Sequence, residues 1–239
     1  MALHTKRVLV TGASAGIGRA TARLLVEAGA HVAACARRGD ALESLRTEVE
    51  GSPGKLYTHV CDVSKADSVI NFVESSREQL GGFDTLLNNA GLLGPRVGVA
   101  SYPVEDFQAV LDVNVFGLFL MTRTCLPELT SGGMGLVINV SSGLGRFGVA
   151  DSSAYCASKF AVEGFTQSLA DEYPKEELVA VTLSPGMVAT DMLRNYLGEE
   201  DVSQYLDPTD VANGILNIID SAEPGWTGRA LDIESYLRK

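Results

Sequence analysis

Tyr155 and Lys159 are the two residues of this sequence whose types and spacing best suit chemistry. They stand four positions apart in a stretch that is predicted to be helical, so both side chains lie on one face. An ammonium close to a phenol favours the phenolate and should lower the pKa of the phenol from its usual value of about 10. Such a phenol could give a proton to, or take one from, a carbonyl or alcohol oxygen. The alternative is a surface lysine that covers an aromatic ring.

Two further polar residues are candidates for the same site. Ser142 follows the β-branched run 135–140, where its hydroxyl could form a hydrogen bond to the oxygen that Tyr155 serves. Asn114 stands in an otherwise apolar helical stretch, and a buried amide there needs hydrogen-bond partners. The candidate catalytic residues are therefore Asn114, Ser142, Tyr155 and Lys159.

A glycine-rich loop near the start of the chain is a candidate nucleotide site. Gly12, Gly16 and Gly18 follow a short apolar run and precede an amphipathic stretch that begins at Ile17. Glycines permit a tight turn and a close backbone approach to a pyrophosphate, and a helix N-terminus supplies free N–H groups. The spacing differs from the G-x-G-x-x-G fingerprint, so an ordinary glycine-rich connection remains the alternative for the loop taken alone.

Regular elements have to position these residues, and short β-branched runs alternate with longer amphipathic stretches along the chain. The apolar runs predict seven strands, at residues 7–11, 31–36, 55–61, 85–87, 135–140, 178–183 and 230–233. Strands that are apolar throughout and separated by helices are typical of a parallel sheet covered on both faces. The predicted fold class is α/β, a doubly wound seven-stranded parallel sheet with helices on both faces (Rossmann-like).

The helices are predicted from apolar periodicity and from end signals. They are residues 17–29, 41–50, 65–80, 104–126, 153–172 and 208–220. Pro127 is expected to end the fourth helix, and Asp207 is expected to cap the sixth with a proline at its first position. In such sheets ligands bind beyond the carboxyl ends of the strands, where the polar and glycine positions of this sequence concentrate.

Length and composition fit a single domain over residues 1–239, since one hydrophobic core can serve a chain of this size. The net charge of −11 without basic clusters argues against a nucleic-acid partner. No uninterrupted apolar run approaches the roughly 20 residues of a membrane span, and the N-terminus lacks a signal-peptide pattern. Four cysteines without C-x-x-C spacing and three isolated histidines suggest neither disulfides nor a metal site. The expected location is cytoplasmic.

The motifs of this chain come in the order and spacing of one known family. They are residues 11–18, Asp62-Val63, Asn88-Asn89-Ala90-Gly91, Asn114, Ser141-Ser142, Tyr155-Cys156-Ala157-Ser158-Lys159 and Pro185-Gly186-Met187-Val188-Ala189-Thr190. From residue 6 to about residue 192 the chain resembles the compact single-domain branch of the short-chain dehydrogenase/reductase family. Several motifs are weak alone, but together they are very specific.

The resemblance implies a role for each candidate catalytic residue. Tyr155 would be the general acid or base, and Lys159 would lower the pKa of Tyr155 and bind the nicotinamide ribose. Ser142 would orient the substrate oxygen, and Asn114 would hold a water that relays protons from Lys159. The implied reaction is hydride transfer between the nicotinamide C4 and a carbonyl or secondary alcohol, as in a ketone or aldehyde reductase or an alcohol dehydrogenase.

The resemblance also implies which residues contact the cofactor. Asp62 and Val63 would meet the adenine, residues 89–91 the ribose side, and Pro185 with Val188 and Thr190 the nicotinamide carboxamide. The full implied set is Gly12, Ser14, Gly16, Ile17, Gly18, Arg37, Arg38, Asp62, Val63, Asn89, Ala90, Gly91, Tyr155, Lys159, Pro185, Gly186, Val188 and Thr190.

The end of the second predicted strand indicates which nicotinamide cofactor is used. A carboxylate there selects NAD through the ribose 2′-OH, but this chain has Ala36 where, by alignment, NAD-using relatives carry Asp. Arg37 would pair with a 2′-phosphate instead, so NADP(H) is expected rather than NAD(H). Ala15 stands where some NADP-using relatives carry a second basic residue, and a merely solvated strand end is the alternative for Arg37 and Arg38.

Segments 92–102, 143–152 and 187–206 are expected to form the substrate pocket, the last as a mobile loop. Their apolar side chains favour a largely apolar small-molecule carbonyl or alcohol, although many could simply pack a lid. These side chains are Leu92, Leu93, Val97, Leu144, Phe147, Val149, Met187, Met192, Leu193, Tyr196 and Leu197, with Arg96, Arg146 and Arg194 as candidate anion partners. A 3-oxoacyl-thioester reductase, a polyol or sugar dehydrogenase, and a non-catalytic NADP(H)-sensing or scaffold module remain alternatives.

The family resemblance further implies a homodimer or homotetramer in which helices 104–126 and 153–172 pack across a two-fold axis. Apolar residues on these helices fit such a contact, and they could equally face the sheet. They are Phe116, Leu118, Phe119, Phe165 and Leu169. The residue types alone do not separate the two arrangements.

Overall fold

The computed structural model describes residues 3–198 and 201–237. Seven strands form one parallel sheet in the order β3-β2-β1-β4-β5-β6-β7. Their bounds are Arg7–Thr11 (β1), His31–Ala36 (β2), Lys55–Val60 (β3), Thr85–Asn88 (β4), Gly135–Val140 (β5), Leu178–Ser184 (β6) and Ala230–Asp232 (β7). Every predicted strand is therefore confirmed, with ends that differ by no more than one residue.

The winding of the sheet changes direction at β1. This strand pairs with β2 on one side and with β4 on the other, so that Thr11 lies opposite Cys35 and Val10 lies opposite Leu87. The apolar residues of β1 are fully buried because the strand lies inside the sheet with helices on both faces. A ligand site is expected beyond the carboxyl end of β1, where connections to the two sides diverge.

The helices cover both faces of the sheet. Their bounds are Gly16–Glu27 (α1), Gly39–Glu48 (α2), Ala66–Leu80 (α3), Val104–Leu111 (α4), Leu118–Leu129 (α5), Ser153–Glu172 (α6), Asp191–Leu197 (α7) and Pro208–Ser221 (α8). One apolar core lies between the sheet and α1, α2 and α8, and the other lies between the sheet and α3, α5 and α6. The doubly wound α/β fold is therefore confirmed.

The start of α8 follows directly from its sequence. The side chain of Asp207 accepts a hydrogen bond from the backbone N–H of Thr209 at 2.7 Å, which satisfies one free donor of the first turn. Val211, Ile215 and Ile218 recur along one face and are fully buried against the sheet and α1. Each buried side chain of this size stabilises the fold by about 1.5–3 kcal/mol, so this face fixes the helix in place.

Pro127 does not end the helical run that begins at Val104, contrary to the prediction. α5 continues to Leu129, and the N–H of Thr130 donates to the Leu126 carbonyl at 3.0 Å. Pro127 lies in the last turn of the helix, where its missing N–H removes a single helical hydrogen bond. The packing of Leu129 into the core outweighs that loss.

A π-turn, Asp112–Gly117, separates α4 from α5 and was not predicted. One π-helical turn changes the spacing of the apolar residues along a helix very little. The pattern of apolar residues in the sequence therefore does not reveal this turn. The turn packs tightly against the β3–α3 connection, since a Cβ on Gly117 would lie 2.8 Å from Val63 Cγ2. Turns of this kind are frequent at functional sites.

The run Val104–Leu129 is also the one helical stretch of the described residues that is long and apolar enough, by composition, to cross a membrane. The sequence expectation considered uninterrupted apolar runs only and did not detect it. Leu120, Met121 and Cys125 of this run are buried against the sheet. Packing inside the protein therefore accounts for the apolar residues on that face.

The apolar residues considered for subunit contact divide into two groups. Leu118 and Leu169 are buried, so they face the interior. Phe116 and Phe119 are 46% and 38% exposed, with ring centroids 6.1 Å apart, and Phe165 meets Phe119 edge-on at 6.4 Å. Phe116 and Phe119, together with the half-buried Phe165, form a partly exposed apolar surface, called the aromatic surface below.

Candidate active site

A cavity of about 530 Å³ lies beyond the carboxyl ends of β1 to β6. Most of the predicted site residues line it, namely Gly12, Ser14, Gly16, Ile17, Arg37, Asp62, Val63, Asn89, Ala90, Gly91, Ser142, Tyr155, Lys159, Pro185, Gly186, Val188 and Thr190. Gly18, Arg38 and Asn114 do not line it. The fold therefore brings the glycine loop and the Tyr155–Lys159 pair, which are far apart in sequence, into one cavity.

The glycine loop is held in place by the residues that follow β4. The Thr11 hydroxyl accepts hydrogen bonds from the backbone N–H groups of Asn89 and Ala90, both at 3.0 Å, and Asn89 Nδ2 donates to the Thr11 carbonyl at 2.9 Å. Gly12 has a φ of +72°, and a Cβ there would lie 2.8 Å from Ala90 Cα. A Cβ on Gly18 would collide with Asn89 Nδ2 and with the Gly12 carbonyl. Gly18 is thus required by packing within the loop.

The first turn of α1 presents its backbone N–H groups towards the cavity. The helix has 12 residues, and its N-cap, Ala15, makes no side-chain capping hydrogen bond. Gly16 and Ile17 of this turn line the cavity. Unsatisfied N–H groups at the positive end of a helix dipole favour an anionic group such as a pyrophosphate.

The two arginines that follow β2 have different positions. Arg37 lines the cavity, whereas Arg38 Nη2 donates to the backbone oxygen and the Oγ of Ser14, both at 3.3 Å. Arg38 therefore supports the glycine loop through Ser14, and its implied contact with the cofactor stays a prediction. Arg37 is the arginine that lines the cavity.

Asp62 lines the cavity next to Arg37 with its carboxylate held by the following turn. Its Oδ1 accepts hydrogen bonds from the Ser64 N–H at 3.0 Å and from the Ser64 hydroxyl at 2.8 Å. Burial opposes ionisation, but these bonds together with the charges of Arg37 and Lys65 lower the pKa of Asp62. The aspartate is therefore ionised at neutral pH.

Tyr155, Lys159 and Ser142 meet at the inner end of the cavity. Tyr155 and Lys159 lie on successive turns of α6, with Lys159 Nζ 5.5 Å from the centre of the Tyr155 ring. Lys159 Nζ donates to the Val140 carbonyl at the end of β5, at 2.7 Å. Ser142 follows that strand end, and its Oγ accepts a hydrogen bond from the Leu144 N–H at 3.2 Å. The hydroxyl groups of Ser142 and Tyr155 are thus close to each other, with Lys159 on the next turn of α6.

The pKa of Tyr155 is not lowered by Lys159 in this structure, contrary to the expectation. Burial raises the pKa of Tyr155 to about 12, against a smaller lowering by the hydroxyl of Ser142. Burial also lowers the pKa of Lys159 to about 8, although Glu163 opposes that change. The desolvation of both groups outweighs their mutual effect, since Lys159 is bonded to a carbonyl and not to the phenol.

Asn114 lies in the π-turn and is 1% exposed. Its Oδ1 accepts from the Leu92 N–H at 2.7 Å, and its Nδ2 donates to the Leu92 carbonyl at 2.8 Å and to Ser158 Oγ at 2.9 Å. The predicted need for hydrogen-bond partners is thus confirmed. The side chain joins α6 to the loop after β4, and both of its N–H groups are used. The water contact that the resemblance implies for Asn114 stays a prediction.

Thr190 lies in the segment that follows β6. Its Oγ1 accepts a hydrogen bond from the Leu193 N–H at 3.3 Å and so caps α7, and it also donates to the Val188 carbonyl at 3.3 Å. Its methyl group would be 3.0 Å from a Cβ on Gly16. The segment after β6 therefore closes directly over the glycine loop.

Apolar side chains line the open end of the cavity. They are Leu92, Leu93, Leu144, Val149, Met187, Met192, Leu193 and Tyr196. Val97, Phe147 and Leu197, which were predicted with them, do not line it. Phe147 is 57% exposed because the turn 143–145 directs the chain outwards before α6 begins. The loop 187–206 includes residues 199–200, which lie outside the described part of the chain.

The three arginines near this opening already have partners. Arg146 forms an ion pair with Asp232, and Arg194 forms one with Asp191, both at 2.8 Å. Arg96 lies over the Tyr196 ring, 5.1 Å from its centre. Two of the three candidate anion partners are thus neutralised by carboxylates, which leaves the pocket with a mainly apolar surface.

Free cysteines are buried at four positions, and Cys35 and Cys61 line the cavity at the ends of β2 and β3. Burial raises the pKa of the Cys35 thiol well above its ordinary value, so this thiol is protonated at neutral pH. Among the described residues, no group of three His, Cys, Asp or Glu side chains is placed to hold a metal ion.

A sequence model of the family described as short chain dehydrogenase matches residues 6–201 of the chain. The chain belongs to the short-chain dehydrogenase family. The matched region contains the glycine loop, the strand ends that line the cavity and the Tyr155–Lys159 pair. The family resemblance noted in the sequence is thus confirmed.

Curated members of the family that resemble this dehydrogenase include several reductases. It is 34% identical to an NADPH-dependent pterin aldehyde reductase of Arabidopsis thaliana, over 95% of this chain and 93% of the relative. It is 32% identical to the 3-oxoacyl-[acyl-carrier-protein] reductase FabG of Thermotoga maritima, over 99% of both chains. Its 37% identity to the glycine betaine reductase ATRR of Emericella nidulans spans 90% of this chain but only 17% of that much longer protein.

Solved structures of the family share the fold of this dehydrogenase along nearly the whole chain. A short chain dehydrogenase from Shigella flexneri complexed with NADP superposes with a TM-score of 0.91 at 30% identity, covering 96% of this chain and 97% of the other. The match to the family model ends at residue 201, whereas the fold continues beyond that residue to β7, the last strand of the sheet.

Several polar residues that support the candidate site were not predicted from the sequence. Glu163 is 8% exposed and lies one helical turn after Lys159, and it is bonded to Ser141 and Thr182. Ser158 bonds the Asn114 amide. The signal that could have found Glu163 is its spacing of four from Lys159, which places a carboxylate on the same helical face as Tyr155 and Lys159.

Proposed function

We propose that this protein is an NADP(H)-dependent oxidoreductase that interconverts a small carbonyl compound and the corresponding alcohol. The observation that carries the proposal is a single cavity that joins the glycine loop and the uncapped start of α1 to Ser142, Tyr155 and Lys159. A nucleotide cradle without acid–base residues would indicate binding alone, whereas both are present here. When bound, the nicotinamide supplies the hydride or accepts it.

The residues of the cavity fit a dinucleotide. Gly12 and Gly16 line the cavity without side chains, which permits a close backbone approach, and the first turn of α1 offers N–H groups to a pyrophosphate. Asp62 and Val63 lie on the adenine side, and Pro185, Gly186 and Val188 lie beyond β6 on the other side. These positions support the cofactor contacts that the family resemblance implies.

Preference for NADP(H) over NAD(H) is proposed from the end of β2. Ala36 places no carboxylate at the ribose 2′-OH, and Arg37 lines the cavity where a 2′-phosphate would need a cation. The NADPH dependence of the plant relative and the NADP complex of the Shigella structure support the same choice.

In the proposed reaction Tyr155 donates a proton to the substrate oxygen as a carbonyl is reduced. With a pKa of about 12 the phenol is fully protonated at neutral pH, which suits a proton donor to a developing alkoxide. Ser142 donates a hydrogen bond to the same oxygen, and the Lys159 ammonium stabilises the negative charge that remains on Tyr155. Lys159 is within one helical turn of the phenol and needs no movement of the backbone.

The substrate is proposed to be a largely apolar aldehyde or ketone. The open end of the cavity is lined by leucine, valine and methionine side chains, and Arg146 and Arg194 are occupied by carboxylates. A 3-oxoacyl thioester is the second candidate, because the Thermotoga relative is a reductase of that class and matches over the full chain.

The proposal is tested by mixing the purified protein with NADPH and with NADH and then with a panel of carbonyl compounds. The panel contains aliphatic and aromatic aldehydes, ketones, a 3-oxoacyl thioester and a keto sugar. Binding is followed by nicotinamide fluorescence, and turnover by carbonyl-dependent loss of nicotinamide absorbance. We expect NADPH to bind more tightly than NADH and at least one carbonyl compound to be reduced.

The outcome of that panel separates the alternatives. Turnover of the thioester alone would assign the second candidate, and turnover of the keto sugar alone would indicate a polyol or sugar dehydrogenase. Binding of NADPH without turnover of any member would instead support a non-catalytic NADP(H)-sensing module. Failure of both cofactors to bind would overturn the assignment of the glycine loop.

A further inference from the structure

A column of buried polar contacts joins β5 to α6 at the end of the sheet that carries the active site. Lys159 Nζ donates to the Val140 carbonyl at 2.7 Å, and the Ser141 hydroxyl donates to Glu163 Oε1 at 2.6 Å. One turn further along α6, the Thr166 hydroxyl accepts from Asn139 Nδ2 at 2.8 Å. Residues 139–141, at the end of β5 and just after it, are thus bonded to three successive turns of α6.

Glu163 is the charged member of this column besides Lys159. It is 8% exposed, and each carboxylate oxygen accepts one hydroxyl hydrogen bond, Oε1 from Ser141 and Oε2 from Thr182 on β6 at 2.7 Å. A buried carboxylate destabilises the fold unless it is hydrogen-bonded or paired. An apolar side chain could pack at this position without that free-energy cost. Glu163 does not line the cavity, and hence it does not meet the substrate directly.

We propose that Glu163 is a positioning residue of the active site, which ties the strand end that carries Ser142 to the helix that carries Tyr155 and Lys159. The proposal rests on the proposed oxidoreductase function. Ser142 directly follows Ser141 in the chain. The hydrogen bond from the Ser141 hydroxyl to Glu163 therefore fixes the backbone position from which the Ser142 side chain extends. The position of Ser142 relative to Tyr155 in turn sets where a substrate oxygen can sit between their hydroxyls.

The turn that follows Ser142 packs over the same contact. A Cβ on Gly145 would lie 2.9 Å from Ser141 Oγ and 2.9 Å from the Lys159 carbonyl. The Ser141 hydroxyl therefore lies between Glu163 and this turn, at the wall of the cavity. Loss of the carboxylate contact is expected to loosen both the strand end and the turn.

Glu163 also acts on the charge of Lys159. The two residues lie one turn apart, and the carboxylate raises the pKa of the lysine against the larger lowering by burial. The other titratable neighbour on α6 is Tyr155, and the strands contribute the Val140 carbonyl and hydroxyl groups. On the π-turn packed against α6, the Asp112 carboxylate accepts a hydrogen bond from Gln108 at the surface. Glu163 is thus the nearby carboxylate that keeps Lys159 protonated.

The first test compares two variants that each remove one hydroxyl from the β5–α6 column. Ser141→Ala removes the bond next to Ser142, and Thr166→Val removes the next bond along, away from the cavity. Both sites are buried, so both variants should lose some thermal stability. We expect Ser141→Ala to lower kcat by about tenfold or more and Thr166→Val to leave kcat within about twofold of the unmodified value. NADPH affinity is measured for both variants, because Ser141 also lines the cavity. An equal effect of the two variants on kcat would overturn the positioning role.

The second test needs neither cofactor nor turnover. The six lysines are labelled with ¹³C, and the pKa of Lys159 is read from its side-chain chemical shift during a pH titration. Glu163→Gln keeps the size of the side chain and can still bond both hydroxyls, but it removes the charge. We expect the pKa of Lys159 to fall by about one unit in Glu163→Gln and to be unchanged in Thr166→Val. An unchanged value in both variants would overturn the charge effect.

The two tests also separate this inference from the proposed function. If the unmodified protein reduces no carbonyl compound, the proposed function fails, and the lysine titration still decides whether Glu163 controls the charge of Lys159. If the unmodified protein is active and the Ser141→Ala variant has the same activity, the positioning role fails while the proposed function stands. Thermal unfolding of each variant confirms that the compared proteins are folded.

Discussion

At the scale of single residues, burial sets the acid–base properties of the site. Tyr155 has a pKa raised to about 12 and Lys159 has one lowered to about 8, and desolvation is the largest cause of both changes. The phenol is thus protonated at neutral pH, while the lysine is the group with a pKa close to neutral pH. The sequence predicted the pair correctly, but burial cannot be read from a spacing of four residues, and so the direction for Tyr155 was wrong.

Carbonyl reduction is predicted to decline as the pH rises through about 8. The pKa of Lys159 lies below its ordinary value, so its ammonium is present below about pH 8 and is lost above it, whereas Tyr155 stays protonated up to about pH 12. The loss of charge next to the phenol removes stabilisation of the developing negative charge. The measurement is kcat/KM with NADPH from about pH 6 to about pH 10. A constant rate across this range would contradict the assignment.

Arg37→Ala is predicted to weaken NADPH binding by about 10- to 100-fold while NADH binding changes little. The reason is the loss of a charge-assisted contact that only the 2′-phosphate would make. Arg38→Ala is the matched control, because Arg38 bonds Ser14 outside the cavity and should weaken both cofactors alike. Fluorescence titration of both cofactors measures the ratio. If Arg37→Ala left the preference unchanged, the NADP assignment would have to be abandoned.

At the scale of elements, the strand ends were the most predictable part of the site. Continuous apolar runs fix β1 to β6 to within one residue, and the polar residues just after them line the cavity. Which of these residues face a ligand was not predictable, because that depends on tertiary contacts. Gly18 packs on Asn89, Arg38 bonds Ser14 and the Asn114 amide bonds Leu92, and none of the three lines the cavity. Their predicted roles stay predictions.

The π-turn is the element that sequence patterns could not show. The apolar residues of 104–129 continue across Asp112–Gly117 without a break in period, and Pro127 gives a misleading end signal. Long-range contacts stabilise the turn: Gly117 packs against Val63, and Asn114 forms hydrogen bonds with the loop after β4.

Gly18→Ala is predicted to lower the free energy of unfolding by about 1–3 kcal/mol and to abolish tight NADPH binding. The new Cβ would collide with Asn89 Nδ2 and with the Gly12 carbonyl, so the glycine loop would have to move. Gly132→Ala is the control, since a Cβ there meets no atom within 4 Å and should change the free energy by no more than about 0.5 kcal/mol. Denaturant unfolding and fluorescence titration measure the two effects. Normal NADPH binding by Gly18→Ala would contradict the assigned packing.

At the scale of the whole molecule, the two faces of the sheet are covered differently. α1, α2 and α8 complete one core, whereas α5 and α6 leave the aromatic surface exposed on the other side. An exposed cluster of aromatic rings is typical of a contact with another protein chain. This surface supports the predicted homodimer or homotetramer, which the sequence could suggest only by family resemblance because the same residues could have been buried.

Phe119→Glu is predicted to reduce the oligomer to a smaller species. A carboxylate placed among Phe116 and Phe165 could not be buried without a large desolvation cost. Val60→Glu is the control, since Val60 is 59% exposed on β3 at the edge of the sheet. Sedimentation velocity of the three proteins measures the mass. A monomeric unmodified protein, or an unchanged mass of Phe119→Glu, would contradict the prediction.

The most direct test of the central proposal compares the unmodified protein with Tyr155→Phe. NADPH affinity is measured by fluorescence, and kcat is measured with a carbonyl compound that the unmodified protein reduces. We predict that Tyr155→Phe binds NADPH within about threefold of the unmodified protein and that its kcat falls by about 100-fold or more, because only the proton donor is lost. Undiminished turnover by Tyr155→Phe would show that the proton comes from another group and would contradict the proposed mechanism.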